Sequence, residues 1–183
     1  DEITRAGGKA VSLGMLMRAG LPVPPGFCVT TGAYRGWIDG CAAAEALLAR
    51  LDALGPEQSE EAVHLAARLR QQLASTPMPE PVAEVIVAAW QRAGPDRAWA
   101  VRSSATTEDS PDASFAGQHE SVLNVRGRAA LLDAVRRCWS SLFADRAVVY
   151  RMHCGLPHRS AAIAVVVQEM VPAQIAGVLF TAD

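Results

Sequence analysis

An apolar strand that delivers one arginine into a row of small hydroxyl residues constrains this chain most. Residues 99–106 read Trp99-Ala100-Val101-Arg102-Ser103-Ser104-Ala105-Thr106. A loop of about a dozen residues follows, a length that is usually functional or mobile in a compact domain. It carries Glu108, Asp109, Pro111, Asp112 and Gly117, and a second short strand, Ser121-Val122-Leu123-Asn124-Val125, closes the unit. A fixed arginine beside a hydroxyl-rich flap suits a polyanion such as a nucleoside triphosphate. Arginine presents a planar fork of donors to phosphate oxygens, and small residues let backbone N–H groups reach the same oxygens.

The rest of the composition narrows the class. The chain has 183 residues, half of them apolar and a fifth charged, which fits one soluble domain with a sizeable core. A formal net charge of -2 gives no electrostatic case for nucleic acid or an anionic membrane as partner. No apolar run reaches the ~20 residues of a membrane span, and no signal-peptide core opens the sequence. Cys28, Cys41, Cys138 and Cys154 form no C-x-x-C pair and read as reduced thiols of a cytoplasmic protein. Lys9 is the only lysine among 17 basic side chains. Lysine and arginine differ where a compact point charge is needed beside phosphate, so its retention inside Gly7-Gly8-Lys9-Ala10 counts.

Residues 1–8 read as a loop ending in Gly-Gly. From Lys9 the spacing of Ala10, Leu13, Leu16 and Met17 predicts a helix that stops at Gly20, with Lys9 in its first turn, where free N–H groups and the helix dipole attract phosphate. Gly-x4-Gly-Lys-Ser/Thr is absent, so this is no Walker A loop. Pro22, Pro24 and Pro25 stiffen the turn into a short strand at Phe27-Cys28-Val29, and Thr30 or Thr31 caps a helix through Trp37 and Ile38. Residues 42–95 predict three amphipathic helices serving as scaffold. A long helix is expected from Ala129 to Arg151. His153, Cys154 and His158 do not match a zinc spacing, and no metal ligands are assigned. Ala162–Val171 and Ile175–Thr181 read as two strands of a hairpin, the first buried on both faces. Gln168 and Glu169 end its apolar run and need polar partners; a purine edge is one such partner, and an ordinary strand end is the other reading. Helices with strands clustered late indicate an α+β fold.

Taken together, these motifs resemble a known family. Gly7-Gly8-Lys9-Ala10-x-x-Leu13-Gly14, Gly20-Leu21-Pro22-Val23-Pro24-Pro25-Gly26-Phe27, Val101-Arg102-Ser103-Ser104-Ala105-Thr106-x-Glu108-Asp109, Ala113-Ser114-Phe115-Ala116-Gly117-Gln118, Val167-Gln168-x-Met170-Val171 and Gly177-Val178-x-Phe180-Thr181 occur in the order found in the pyruvate/phosphoenolpyruvate dikinases. The pattern is nearest to the phosphoenolpyruvate synthase and rifampin phosphotransferase branches. The resemblance implies the first half of an ATP-grasp-like nucleotide-binding domain, with helices packed on a mixed or antiparallel sheet. All of residues 1–183 would belong to that N-terminal part. The second half of the domain, a swivelling phosphohistidine domain and an acceptor domain would lie outside it.

The same resemblance implies roles. Lys9 and Arg102 would hold the ATP phosphates and act in catalysis. Gly117 would contact phosphate through its main chain, and Ser121 through its hydroxyl, at a position where relatives often have threonine. Gln168 and the backbone of Glu169, Met170 and Val171 would read adenine. ATP would phosphorylate a carrier histidine on the swivelling domain of the same protein. The phosphoryl group would pass to pyruvate or to a rifamycin hydroxyl, with AMP and phosphate released. The ligands for Mg2+ are expected outside these residues, and none of the four histidines matches the carrier motif. A catalytically inactive nucleotide-binding or interaction module is the alternative.

Overall fold

The computed structural model describes residues 2–106, 109–110, 113–114 and 120–177. In chain order the elements are α1 (Glu2–Arg18), β1 (Gly26–Val29), α2 (Thr31–Ile38), α3 (Ala42–Asp52), α4 (Ser59–Ser75), α5 (Glu80–Ala93), β2 (Trp99–Ala105), β3 (Asp109–Ser110), β4 (Ala113–Ser114), β5 (Ser121–Val125), α6 (Arg128–Ser140), α7 (Asp145–His153) and β6 (Ile163–Glu169). One sheet has the order β1-β6-β2-β5, and every neighbouring pair is antiparallel. The loop after β2 is not wholly irregular: β3 and β4 pair as a small ribbon. The fold is α+β, as the order of elements indicates.

β6 is central because its apolar run, Ile163 to Val167, tolerates burial on both faces. One face of the sheet presents Val29, Trp99, Val101, Ala105, Val165 and Val167 to the main core. There α6 brings Trp139 against Trp37 of α2, with ring centroids 5.1 Å apart. Leu48, Leu51, Leu65, Leu69 and Leu73 of α3 and α4 extend the same cluster. Alternation along the strands sends the other set, Cys28, Arg102, Ser104, Val166 and Gln168, to the opposite face, across which α1 lies.

Three expectations change. Residues 2–8 are helical rather than a loop, and Gly7 (φ 74°, ψ 166°) breaks α1 into two segments. Lys9 therefore keeps its place in a first turn, behind the break instead of behind a loop. The helix ends in a Schellman arrangement, with Gly20 (φ 77°) and Leu21 donating N–H to the carbonyls of Met17 and Leu16.

The expected helix over 129–151 divides into α6 and α7 through a 3-10 turn at Ser141–Phe143 and an extended Ala144. The carbonyls released there are taken by arginines: Arg151 donates to Leu142 O (2.6 Å), and Arg70 to Phe143 O. Finally, β6 forms no hairpin with residues 175–177, which lie outside any strand. β1 and β2 already occupy both edges of β6, so no ladder position is left for that segment. Residues 178–181 of the expected second strand lie outside the described residues.

Candidate functional site

Arg102 sits in the middle of β2, opposite Val166 on one side and Ser121 of β5 on the other. Cross-strand partners project to the same face, so the Arg102 guanidinium and the Ser121 hydroxyl share the α1 side of the sheet. Arg102 is half-buried. Among the described residues its side chain makes no hydrogen bond or ion pair. A guanidinium held partly out of water without an acceptor is costly unless an anion completes it.

Contrast the arginines around a hollow of about 550 Å³ between α4 and α6. Arg70 pairs with Asp145 (2.7 Å), Arg136 with Asp133 (3.0 Å), and Arg137 with Glu120. Their charge is matched locally, whereas that of Arg102 is not matched among the described residues.

Lys9 belongs to the segment of α1 seated over Ser104. The Ser104 hydroxyl donates to the Ala6 carbonyl (3.0 Å) and accepts from the Ala10 N–H (3.4 Å). Ser104 follows Arg102 by two residues on the same strand, hence on the same face. Burial pushes the buried Cys138 thiol of α6 up to about 12; Glu120 raises it further, while Arg137, a backbone bond from Ser103 and Lys9 oppose the rise.

Gln168 is opposite Ala100 on β2 and Gly26 on β1, on the Arg102 face and two residues along β6 from Val166, a distance of ~7 Å. It is 9% exposed, and its amide nitrogen donates to the Pro24 carbonyl (3.1 Å). Gln168 also lines an apolar hollow of about 150 Å³ whose lining includes Leu13, Val23, Phe27 and Val166. The N–H groups of Glu169 and Met170 are already given to the carbonyls of Pro25 and Ala98 (2.9 Å each), and the Val171 carbonyl accepts from Ala173 N–H (2.8 Å). Pro25 has no N–H to return across the ladder to the Glu169 carbonyl. The Glu169 side chain pairs with Arg97.

The structure therefore brings Lys9, Arg102, Ser121 and Gln168 to one face of the sheet, with Glu169 to Val171 continuing from its edge. Gly117 lies outside the described residues. The sequence reading gave Ser104 no role, although its i+2 spacing from Arg102 was a signal that the two share a face. It also left Arg70 and Arg151 unassigned; nothing in the helical periodicity showed that their acceptors would be carbonyls of a broken helix.

Among the described residues, no grouping of three or more His, Cys, Asp or Glu side chains is arranged to hold a metal ion. No helix among them is long and apolar enough to cross a membrane.

Comparison with known proteins shows the family. The family described as "Pyruvate phosphate dikinase, AMP/ATP-binding domain" matches residues 3–183. A rifampicin phosphotransferase of Streptomyces sp is 48% identical over 182 residues, covering 99% of this chain and 21% of the relative. A probable phosphoenolpyruvate synthase of Methanothermobacter thermautotrophicus is 44% identical over 186 residues, covering 99% of this chain and 27% of the relative. The rifampicin phosphotransferase of Bacillus subtilis is 41% identical over 183 residues, covering all of this chain and 21% of the relative. The chain thus spans about a fifth to a quarter of the length of these curated relatives. With a family match over nearly its whole length and relatives this similar, the chain belongs to the AMP/ATP-binding domain family of the pyruvate phosphate dikinases.

Proposed function

We propose that the α1 face of the sheet binds ATP as the nucleotide-binding part of a dikinase. The observation that carries this reading is Arg102: half-buried, mid-strand, and without a partner among the described residues. The guanidinium takes phosphate oxygens as a fork, the Lys9 ammonium adds a point charge from the first turn behind Gly7, and the Ser121 hydroxyl contributes a neutral bond beside Arg102. Gly117 supplies a main-chain N–H to the same phosphates. The purine lies toward the apolar hollow beside Gln168. There the amide oxygen of Gln168 and the carbonyl of Glu169 are the acceptors suited to an exocyclic amino group, with Met170 and Val171 flanking the edge.

Phosphoryl transfer asks mainly for charge neutralisation and alignment, and Lys9 and Arg102 supply both from two separate elements. The transferred group passes to a carrier histidine on another domain and then to pyruvate or a rifamycin hydroxyl, with AMP and phosphate released. Magnesium accompanies the triphosphate. The described residues offer it no cluster of ligands, so no step is assigned to it here. Four free thiols, Cys28, Cys41, Cys138 and Cys154, fit a reducing compartment, the cytoplasm.

The test is AMP release by the intact protein given ATP with pyruvate, then ATP with rifampin. AMP formed with one acceptor supports the dikinase reading and names the branch. ATP binding without AMP from either acceptor favours the non-catalytic nucleotide module.

A further inference from the structure

In an unbroken α-helix the Ala10 N–H would bond the Ala6 carbonyl, four residues back. Here the Ser104 hydroxyl stands between them. It accepts from Ala10 N–H at 3.4 Å and donates to Ala6 O at 3.0 Å, so a side chain of β2 bonds both groups that a regular helix would pair with each other. A group inserted into the helical ladder is a recognised cause of a sharp kink, and the kink is present at Gly7 (φ 74°, ψ 166°). Only glycine fits there: a Cβ on Gly7 would stand 2.2 Å from the Ser104 carbonyl oxygen and 2.4 Å from its hydroxyl. Ser104 is itself 0% exposed. The Cys28 thiol also approaches the Ala6 carbonyl, at 3.8 Å, too weakly to replace the hydroxyl.

We propose that Ser104 is the positioning residue of Lys9, its hydroxyl spliced into the interrupted helix so that the ammonium is aimed at the face Arg102 occupies. Lys9 lies between the two tethered residues, next to Ala10 and three beyond Ala6. Because Ser104 and Arg102 are i+2 neighbours on one strand, a single piece of β2 fixes both cations relative to each other. Without the hydroxyl, Ala10 N–H and Ala6 O regain each other, the helix straightens, and Lys9 turns away. This inference rests on the nucleotide reading above and adds to it a residue that touches no ligand.

The experiment is a double-mutant cycle in the intact protein with wild type, Ser104→Ala, Lys9→Ala and the double variant. Affinities for Mg·ATP and for adenosine are measured by calorimetry, beside melting temperature. Ser104→Ala is expected to weaken ATP by about tenfold, leave adenosine within about twofold, and add nothing in the Lys9→Ala background. Ser104→Cys, which keeps a weaker donor in nearly the same volume, is expected to fall between and decides the matter if the alanine variant does not fold. An equal loss in both backgrounds, or an equal loss for adenosine, overturns the proposal in favour of a purely structural role. If Lys9→Ala leaves ATP affinity unchanged, it is the nucleotide reading that fails. The clamp is then judged alone by the acylation rate of Lys9 in nucleotide-free protein, read by peptide mass spectrometry. A rate in Ser104→Ala equal to that of wild type overturns it; a change of about threefold or more upholds it.

Discussion

Arg102 and Ser121 stand opposite each other across the β2–β5 pair, with their side chains on the face that α1 crosses. Ser121 is exposed, so its hydroxyl is available to a ligand and contributes little to folding. Ser121→Ala should weaken ATP binding by about 0.5–1.5 kcal/mol, the worth of one neutral hydrogen bond. Ser121→Thr should retain it. Melting temperature should be unchanged in both. Titration calorimetry with Mg·ATP checks the pair, and an alanine variant with wild-type affinity removes Ser121 from the site.

Gly7→Ala forces a side chain into the left-handed backbone region and against the Ser104 carbonyl. The cost should be at least ~2 kcal/mol of stability, whereas Gly36→Ala, which lies within α2 and whose added Cβ would meet nothing within 4 Å, should stabilise by about 0.5–1 kcal/mol. Urea unfolding of the two variants side by side measures the difference.

Arg151 Nε donates to His158 Nδ1 at 3.1 Å, and both side chains are almost wholly buried. Burial, reinforced by the Arg151 charge, lowers His158 to about 4, with Asp52 opposing. Burial likewise lowers Arg151 to about 10, so it stays charged at neutral pH. A histidine depressed in the folded state binds its proton more readily when unfolded. Its contribution is therefore complete above the unfolded value near 6.5 and is lost as pH falls toward 4. The loss amounts to about 3 kcal/mol across that window. Stability measured by urea unfolding between pH 4 and 7 should rise with pH, and His158→Gln should flatten the rise.

Much of this was legible in the sequence. Alternation along 99–105 and the apolar run at 163–167 located the two central strands, and the position of Gln168 and Glu169 marked where burial ends. The break in α1 was half-read: Gly-Gly marks a flexible point, yet the groups on either side of it are bonded by Ser104, which is far away in sequence. The division between α6 and α7 was not legible, because arginines from α4 and α7 satisfy the freed carbonyls and periodicity does not report such partners. That residues 175–177 pair with no strand follows from topology, since β6 finds both neighbours earlier in the chain. At the site, residue type and order singled out Lys9 and Arg102, while Ser121 came only from the family resemblance; a lone serine after a loop carries no signal of its own. That Gln168 would also bind the proline turn through Pro24 was not foreseeable from its position.

Gln168→Ala separates two roles. Losing the bond to Pro24 should cost about 1 kcal/mol of stability. Losing the amide oxygen should weaken adenosine as much as ATP, unlike changes at Lys9 or Arg102. Calorimetry with both ligands checks this.

The central claim is that the guanidinium of Arg102, without a partner among the described residues, waits for phosphate. The most direct measurement is the Kd of Mg·ATP for the intact protein with Arg102→Ala and Arg102→Lys. The account predicts a loss of about 1.5–3 kcal/mol for alanine, roughly 10–100-fold, only partial recovery with lysine, which lacks the planar fork, and an unchanged melting temperature. An Arg102→Ala protein that folds and binds ATP with the wild-type Kd would contradict it.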